Sequence, residues 1–410
     1  MDVLLPNAST SLYHAATITP EGVSREPLLI RHGLVGTSLA AWGYRVDLRD
    51  HLIFPGLINA HDHLHVNAVP PLKAGAPFAN SYAWIEAFRP HFDEPEVTAA
   101  LRWPETLRLR HGALKNLLAG TTCVAHHDPW HEELDAADFP VALLRDFGWS
   151  YALGWPDYGP PVRESFLATP VERPWLIHLA EGTDETAQSE LAMLDQLGCL
   201  AANSVLIHGV GLREQDMARI IAAKAAVVWC PTSNLALLGK TLDPRRLCAA
   251  GRLALGTDSR LSGARDLLEE MRSAMALGDL GPGQLLALAT THAARILRLP
   301  KRGSLAPGSR ADMVIVRDRG GDEASGLAGI QRSEIRAVVR DGVPRIADHD
   351  FAEWFDAAGV DTVPVILDGE PKLLARSLAD PALIALEPGL ELATCSQGRP
   401  SDRTAEARCQ

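Results

Sequence analysis

His61-Asp62-His63 closes an apolar run, Pro55-Gly56-Leu57-Ile58-Asn59-Ala60, and this spacing suits a strand that projects two imidazoles from one face. Asp62 then points the opposite way, and two neutral ring nitrogens on one side can share a divalent ion. His65 continues the alternation. A lone His-x-His pair is weak evidence, so further ligands must come from elsewhere. Four later apolar runs also end in polar groups. Pro174-Trp175-Leu176-Ile177 leads to His178 and, three residues on, Glu181; Ser204-Val205-Leu206-Ile207 leads to His208. Ala225 to Pro231 ends in Thr232-Ser233-Asn234, and Arg252-Leu253-Ala254-Leu255-Gly256-Thr257 leads to Asp258. Asp258 could alternatively be a helix cap, with Asp258-Ser259 starting a helix through Leu267 to Met275, and Glu181 could simply open the helix that follows it.

These runs read as buried parallel strands whose carboxyl ends carry chemistry. Helical periodicity fills the gaps, over Glu185 to Leu197 and Arg213 to Lys224. Alternating strand and helix define an α/β protein, and reactive groups gathered at strand ends favour a (β/α)8 TIM-like barrel over an open sheet. Short β-like runs precede residue 55 and return after residue 303. They include Ala311 to Val316, Arg336 to Arg340 before Asp341-Gly342, and Val363 to Leu367 before Asp368-Gly369, both strong hairpin dipeptides. The expected division is therefore residues 1–55 with 303–376 as a small β-sandwich built from both chain ends, 56–302 as the barrel, and 377–410 as a partly disordered extension. Cys395 to Gln410 is its polar tail.

The ordered set Pro-Gly-Leu-Ile-Asn-Ala-His-Asp-His at 55–63, His-Leu-Ala-Glu at 178–181, His-Gly at 208–209, Cys-Pro-Thr-Ser-Asn-Leu at 230–235 and Gly-Thr-Asp at 256–258 resembles the amidohydrolase superfamily, in its deaminase-like branch. The resemblance covers about residues 28 to 316. It implies metal ligands at His61, His63, His178 and Asp258, a proton-handling acid at Glu181, and a substrate- and water-facing histidine at His208. Three imidazoles and one carboxylate suit Zn2+, or alternatively Fe2+, with one position left for water. Such an ion lowers the pKa of its water from ~15.7 to ~7. A metal-bound hydroxide attacking an amidine-like carbon, with Glu181 protonating the ring and Asp258 taking the water proton, releases ammonia. Deamination of an aminated nitrogen heterocycle is the reaction this fits best. Opening of a cyclic amide, or C–N or C–Cl hydrolysis by the same hydroxide, is the alternative, and a non-catalytic binding or assembly protein is a third reading.

Binuclear relatives bridge two ions with a modified lysine, but no lysine lies between Lys115 and Lys224, and Glu164 sits in a proline-rich context without strand character. One ion per chain is expected. Ser233, Asn234, Trp84 and His127 are candidate substrate contacts; alternation places His126 and His127 on opposite faces without deciding which one meets the pocket. Gly154 to Pro174, crowded with prolines, departs from the family pattern and leaves the fourth strand unplaced. The usual substrates of related enzymes are therefore not carried over.

The 410 residues are 47% hydrophobic with a formal net charge of −12. That balance argues against a nucleic-acid partner, because a phosphate backbone needs a basic surface. No apolar run approaches the ~18 residues of a membrane helix, no signal leader opens the chain, and six scattered cysteines show neither a metal pair nor a disulfide framework. A cytoplasmic enzyme acting on a small molecule is expected. Barrels of this kind often pair as homodimers, although no interface is legible.

Overall fold

The computed structural model describes residues 9–37, 43–71, 75, 77–155, 157–321 and 323–393. The apolar runs are buried parallel strands. β1 (Leu57–Asp62), β2 (Thr121–His126) and β3 (Ala142–Leu143) form one parallel sheet. β4 (Gly148–Ala152), β5 (Trp175–Leu179), β6 (Ser204–His208), β7 (Ala226–Trp229) and β8 (Leu253–Leu255) form a second, in chain order. The chain just past β8 also meets β1: the His61 carbonyl accepts the Thr257 and Asp258 amides, each at 3.1 Å. Gly256 permits this approach, since a Cβ there would lie 2.8 Å from the His61 Cβ.

Helices join the strands, and most of them bury one face, as amphipathic segments do. They include α1 (Ser81–Phe88), α2 (Glu105–Leu118), α3 (Val162–Ala168), α4 (Glu185–Gln196), α5 (Glu214–Ala223), α6 (Pro231–Leu238) and α7 (Leu267–Ala276). Asp266, not Asp258, caps α7 by accepting the Glu269 amide, and Asp184, not Glu181, caps α4 through the Ala187 amide. The helix-end readings of Asp258 and Glu181 therefore fall away.

The fourth strand precedes the proline-rich interval instead of lying in it. Gly148–Ala152 pairs with Trp175–Leu179, and the interval itself holds α3, with Glu164 in that helix's first turn. Prolines at 160, 161 and 170 bracket a short helix because proline lacks the amide that a strand interior needs.

Both chain ends enter one nine-stranded sheet. From the N-terminal side come Ala16–Thr19, Gly22–Ser24 and His51–Pro55; Met313–Arg317 pairs antiparallel with His51–Pro55, and five more strands reach Leu390–Leu392. Asp341-Gly342 and Asp368-Gly369 turn its hairpins with positive φ at both positions, as their sequences predict. A separate four-stranded sheet contains Thr10–Tyr13, Leu28–Arg31, Leu34–Val35 and Tyr44–Asp47. The extension past residue 377 is more structured than expected: it forms a helix, Pro381–Leu386, and a strand that pairs with Thr362–Leu367. Its fully buried Glu387 accepts from His111 Nε2 (2.8 Å), Arg260 (3.3 Å) and Arg332. The tail from Cys395 lies outside the described residues.

Candidate metal centre and active site

The reactive groups gather at the carboxyl ends of the strands. His61 and His63 come from the end of β1, His178 from β5, His208 from β6, and Asp258 from just past β8. Three residues at these ends hold left-handed backbone: Ala180 (φ 53°), His208 (φ 74°) and Asp258 (φ 56°). Such conformations cost on the order of 1–3 kcal/mol each and are retained where the surroundings over-determine them.

His63 Nε2 lies 3.3 Å from His178 Nε2 and 3.7 Å from Asp258 Oδ1, and His61 Nε2 lies 4.0 Å from the same oxygen. Donors on one tetrahedral zinc at ~2.0–2.1 Å stand roughly 3.3–3.4 Å apart, so the set is close to coordinating spacing. The hydrogen bonds also leave the correct nitrogens free. His63 gives Nδ1–H to Asp128 (2.6 Å) and His178 gives Nδ1–H to the Tyr151 carbonyl (2.9 Å). Both nitrogens of His61 are buried and have no partner among the described residues. A buried orphan imidazole beside three convergent donors fits a divalent ion.

Electrostatics favour two of the imidazoles as neutral donors and oppose a third. Burial, reinforced by neighbouring imidazoles, pushes His61 and His178 well below the ordinary histidine pKa, so both are neutral donors. Burial also works against charge on His63, but the Asp128 carboxylate overcomes it and raises the pKa to about 9. Asp258 is held below the ordinary carboxylate value: burial opposes this, while His63, His208 and hydrogen bonds from Ser233 and Ser262 outweigh it. Burial raises Glu181.

Above this floor opens a pocket of about 380 Å3 that His63, His178, Glu181, His208 and Asp258 line at the bottom. Its wall is aromatic, with Trp84, Phe88, Tyr151, Trp155 and Tyr158. Trp84 does more than pack: its indole N–H donates to Glu181 Oε1 at 3.1 Å. Glu181 Oε2 stands 3.8 Å from His208 Nε2.

Three expected substrate contacts sit a layer back. Ser233 donates to Asp258 Oδ2 at 2.7 Å, and Asn234 Oδ1 accepts from His208 Nδ1 at 2.8 Å, so α6 orients the acid and the histidine. His127 is fully buried and gives Nε2–H to the Ser150 carbonyl at 3.1 Å; its ring stacks on His178 with centroids 4.5 Å apart. With His61 and His178 it forms a second group of closely spaced donors. His126 turns the other way, its Nδ1 accepting the Leu64 amide at 3.2 Å. Asp128, Tyr151, Trp155 and Tyr158 also reach the site, and the motifs and spacings above do not point to them. Asp128 directly follows the His126-His127 pair that the sequence does single out, whereas Trp155 and Tyr158 occupy a stretch with no periodic signal.

The amidohydrolase family pattern matches residues 166–346. The chain is 27% identical over 349 residues to a 5-methylthioadenosine/S-adenosylhomocysteine deaminase of Teredinibacter turnerae, covering 70% of this chain and 77% of that one. It is 26% identical over 346 residues to an 8-oxoguanine deaminase of Pseudomonas aeruginosa, covering 66% and 75%. Among solved structures, a zinc-bound adenosine deaminase from Xanthomonas campestris aligns with TM-score 0.66 at 21% identity, over 85% of this chain and 97% of that one. The triazine hydrolase from Arthrobacter aurescens aligns with TM-score 0.69 at 18% identity, over 86% and 99%. Residues 166–346 thus carry the amidohydrolase pattern, and over most of its length the chain is similar to proteins named as deaminases.

Proposed function

We propose that this protein deaminates a small aminated nitrogen heterocycle with one divalent ion, zinc in the first instance, held by His61, His63, His178 and Asp258. The observation that carries the reading is the convergence of those four donors beneath a pocket that also receives Glu181 and His208. The ion supplies Lewis acidity that makes water nucleophilic near neutral pH. The chain's own groups do the rest. Asp258, oriented by Ser233 and Ser262, accepts the proton of the attacking water. Glu181, buried and steadied by Trp84, delivers a proton to a ring nitrogen of the substrate as the attacked carbon becomes tetrahedral. His208, fixed by Asn234, presents Nε2 to the polar group on that carbon. Trp84 and the other aromatic rings pack on the heterocycle's faces and exclude water.

In this reading the two parallel sheets close into one (β/α)8 barrel, supported by the His61 carbonyl's bonds to Thr257 and Asp258. The sheets built by 1–55 with 303–376 form a sandwich beside the barrel, 56–302. The enzyme works in the cytoplasm, in keeping with buried free thiols at Cys123, Cys199, Cys230 and Cys248. The test is metal content of the purified protein together with ammonia release from purines, pyrimidines, pterins and triazines. One metal per chain with ammonia from any of them is expected. One metal without ammonia would replace deamination by ring opening, and a metal-free active protein would refute the site.

A further inference from the structure

Asp128 is a buried carboxylate with no part in the chemistry above, yet four side chains face it. His63 donates Nδ1–H to Oδ2 at 2.6 Å, and the Tyr158 hydroxyl donates to Oδ1 at 2.9 Å. His65 Nδ1 lies 3.4 Å from Oδ2 and His126 Nδ1 3.9 Å away, although His126 is committed to the Leu64 amide. Asp128 is only 4% exposed, so it holds its shape without help from bulk water. Tyr158, at the pocket wall, meets Tyr151 edge to face with centroids 4.9 Å apart. Tyr151 in turn offers its carbonyl to His178 Nδ1. The stretch from Tyr151 to Tyr158 therefore reaches two of the four donors from outside, His178 directly and His63 through Asp128.

We propose that Asp128 and Tyr158 are positioning residues that set the metal affinity of the site and tie it to the pocket wall. An imidazole binds a metal only through an unprotonated nitrogen, and the partner of the other nitrogen decides which one that is. Asp128 keeps the His63 proton on Nδ1 and aims the Nε2 lone pair at His178 and Asp258. Tyr158 occupies the second carboxylate oxygen and stops the carboxylate from rotating away from His63. The segment whose prolines obscured the fourth strand thus gains a role, since it carries the wall residue that braces a ligand.

The proposal rests on His63 being a ligand, so His63→Ala is measured beside the informative variants. Zinc affinity of stripped and refilled protein is read by competition with a chromogenic chelator. The absorption of cobalt-substituted protein reports ligand geometry. Asp128→Asn is expected to weaken zinc 10- to 100-fold, the usual weight of such an outer partner. Tyr158→Phe, which keeps the ring, is expected to weaken it about fivefold, as one net hydrogen bond implies. Both should shift the cobalt spectrum, and Tyr158→Phe should leave the unfolding temperature of the metal-free protein in place. Zinc affinity and cobalt spectrum equal to wild type in Tyr158→Phe, with His63→Ala weakened, would overturn the positioning role alone. Wild-type affinity in His63→Ala would overturn the ligand assignment as well. If Asp128→Asn fails to fold, Tyr158→Phe decides.

Discussion

Replacing Glu181 by glutamine separates chemistry from architecture. The carboxyl is only 7% exposed, accepts the Trp84 indole at 3.1 Å and stands 3.8 Å from His208. Glutamine keeps the volume and the oxygen that Trp84 needs, and the backbone bond from Ser81 to the Glu181 carbonyl is untouched. None of the donor groups spaced for a metal includes Glu181, so metal content should stay at the wild-type level. What disappears is the transferable proton. General acid–base groups contribute ~10²- to 10⁴-fold. At ~1.36 kcal/mol per decade, that is about 3–5 kcal/mol of transition-state stabilisation. The raised pKa of Glu181 also sets a sign: the protonated form persists further toward neutral pH than an exposed glutamate would allow. Activity should therefore fall on the alkaline side in the wild type, and that limb should vanish in the variant. Steady-state ammonia release across pH, with metal measured on the same samples, reads both effects. A variant within threefold of wild-type kcat would falsify the proton-transfer role, and parallel loss of metal would turn Glu181 into a structural residue.

Other outcomes follow from the same geometry. Dialysis against a chelator should abolish ammonia release and lower the unfolding temperature, and one equivalent of zinc should restore both; an active stripped enzyme would count against the metal centre. Lys115→Met leaves the fully buried Asp62 without its cation, 3.2 Å away, and should cost about 3–5 kcal/mol in urea unfolding. Adding Asp62→Asn should recover part of that loss, and strict additivity would refute the pairing. Glu387 is held well below the ordinary glutamate pKa: burial opposes this, but His111, Arg260 and Arg332 prevail. A depressed carboxyl stabilises the fold above its unfolded pKa of ~4.3 and loses that contribution as the pH falls. Glu387→Gln should therefore lower the unfolding temperature at pH 7 and flatten its decline in acid. An unchanged acid slope would show that Glu387 does not govern it.

The donors could be found in the sequence because the physics that buries a parallel strand also marks its end. An apolar run such as Trp175 to Ile177 stops where the chain meets the open face, so His178 announces itself. Residues that act through another residue leave no such mark. Asp128-Pro129 resembles any turn, and only the fold brings it beside His63. Ser233 and Asn234 were legible as a motif, but their partners, Asp258 and His208, lie 25 and 26 residues away. The fourth strand was hidden for another reason. Gly148-Trp149-Ser150-Tyr151-Ala152 alternates buried with half-buried positions, so it lacks the continuous apolar run of its neighbours. Leu390–Leu392 is too short to declare itself before Thr362–Leu367 is there to pair with it.

The seam between His51–Pro55 and Met313–Arg317 bears on how the chain is made. A ribosome finishes Leu52-Ile53-Phe54 about 260 residues before it supplies the strand that covers their outer edge. At ~5–20 residues per second, that edge waits roughly 13–50 s, flanked on its other side by Ala16–Thr17 alone. An unpaired apolar edge invites pairing with another chain. Slow synthesis, or release before residue 317, should therefore yield aggregates rather than soluble fragments, whatever the state of the metal site.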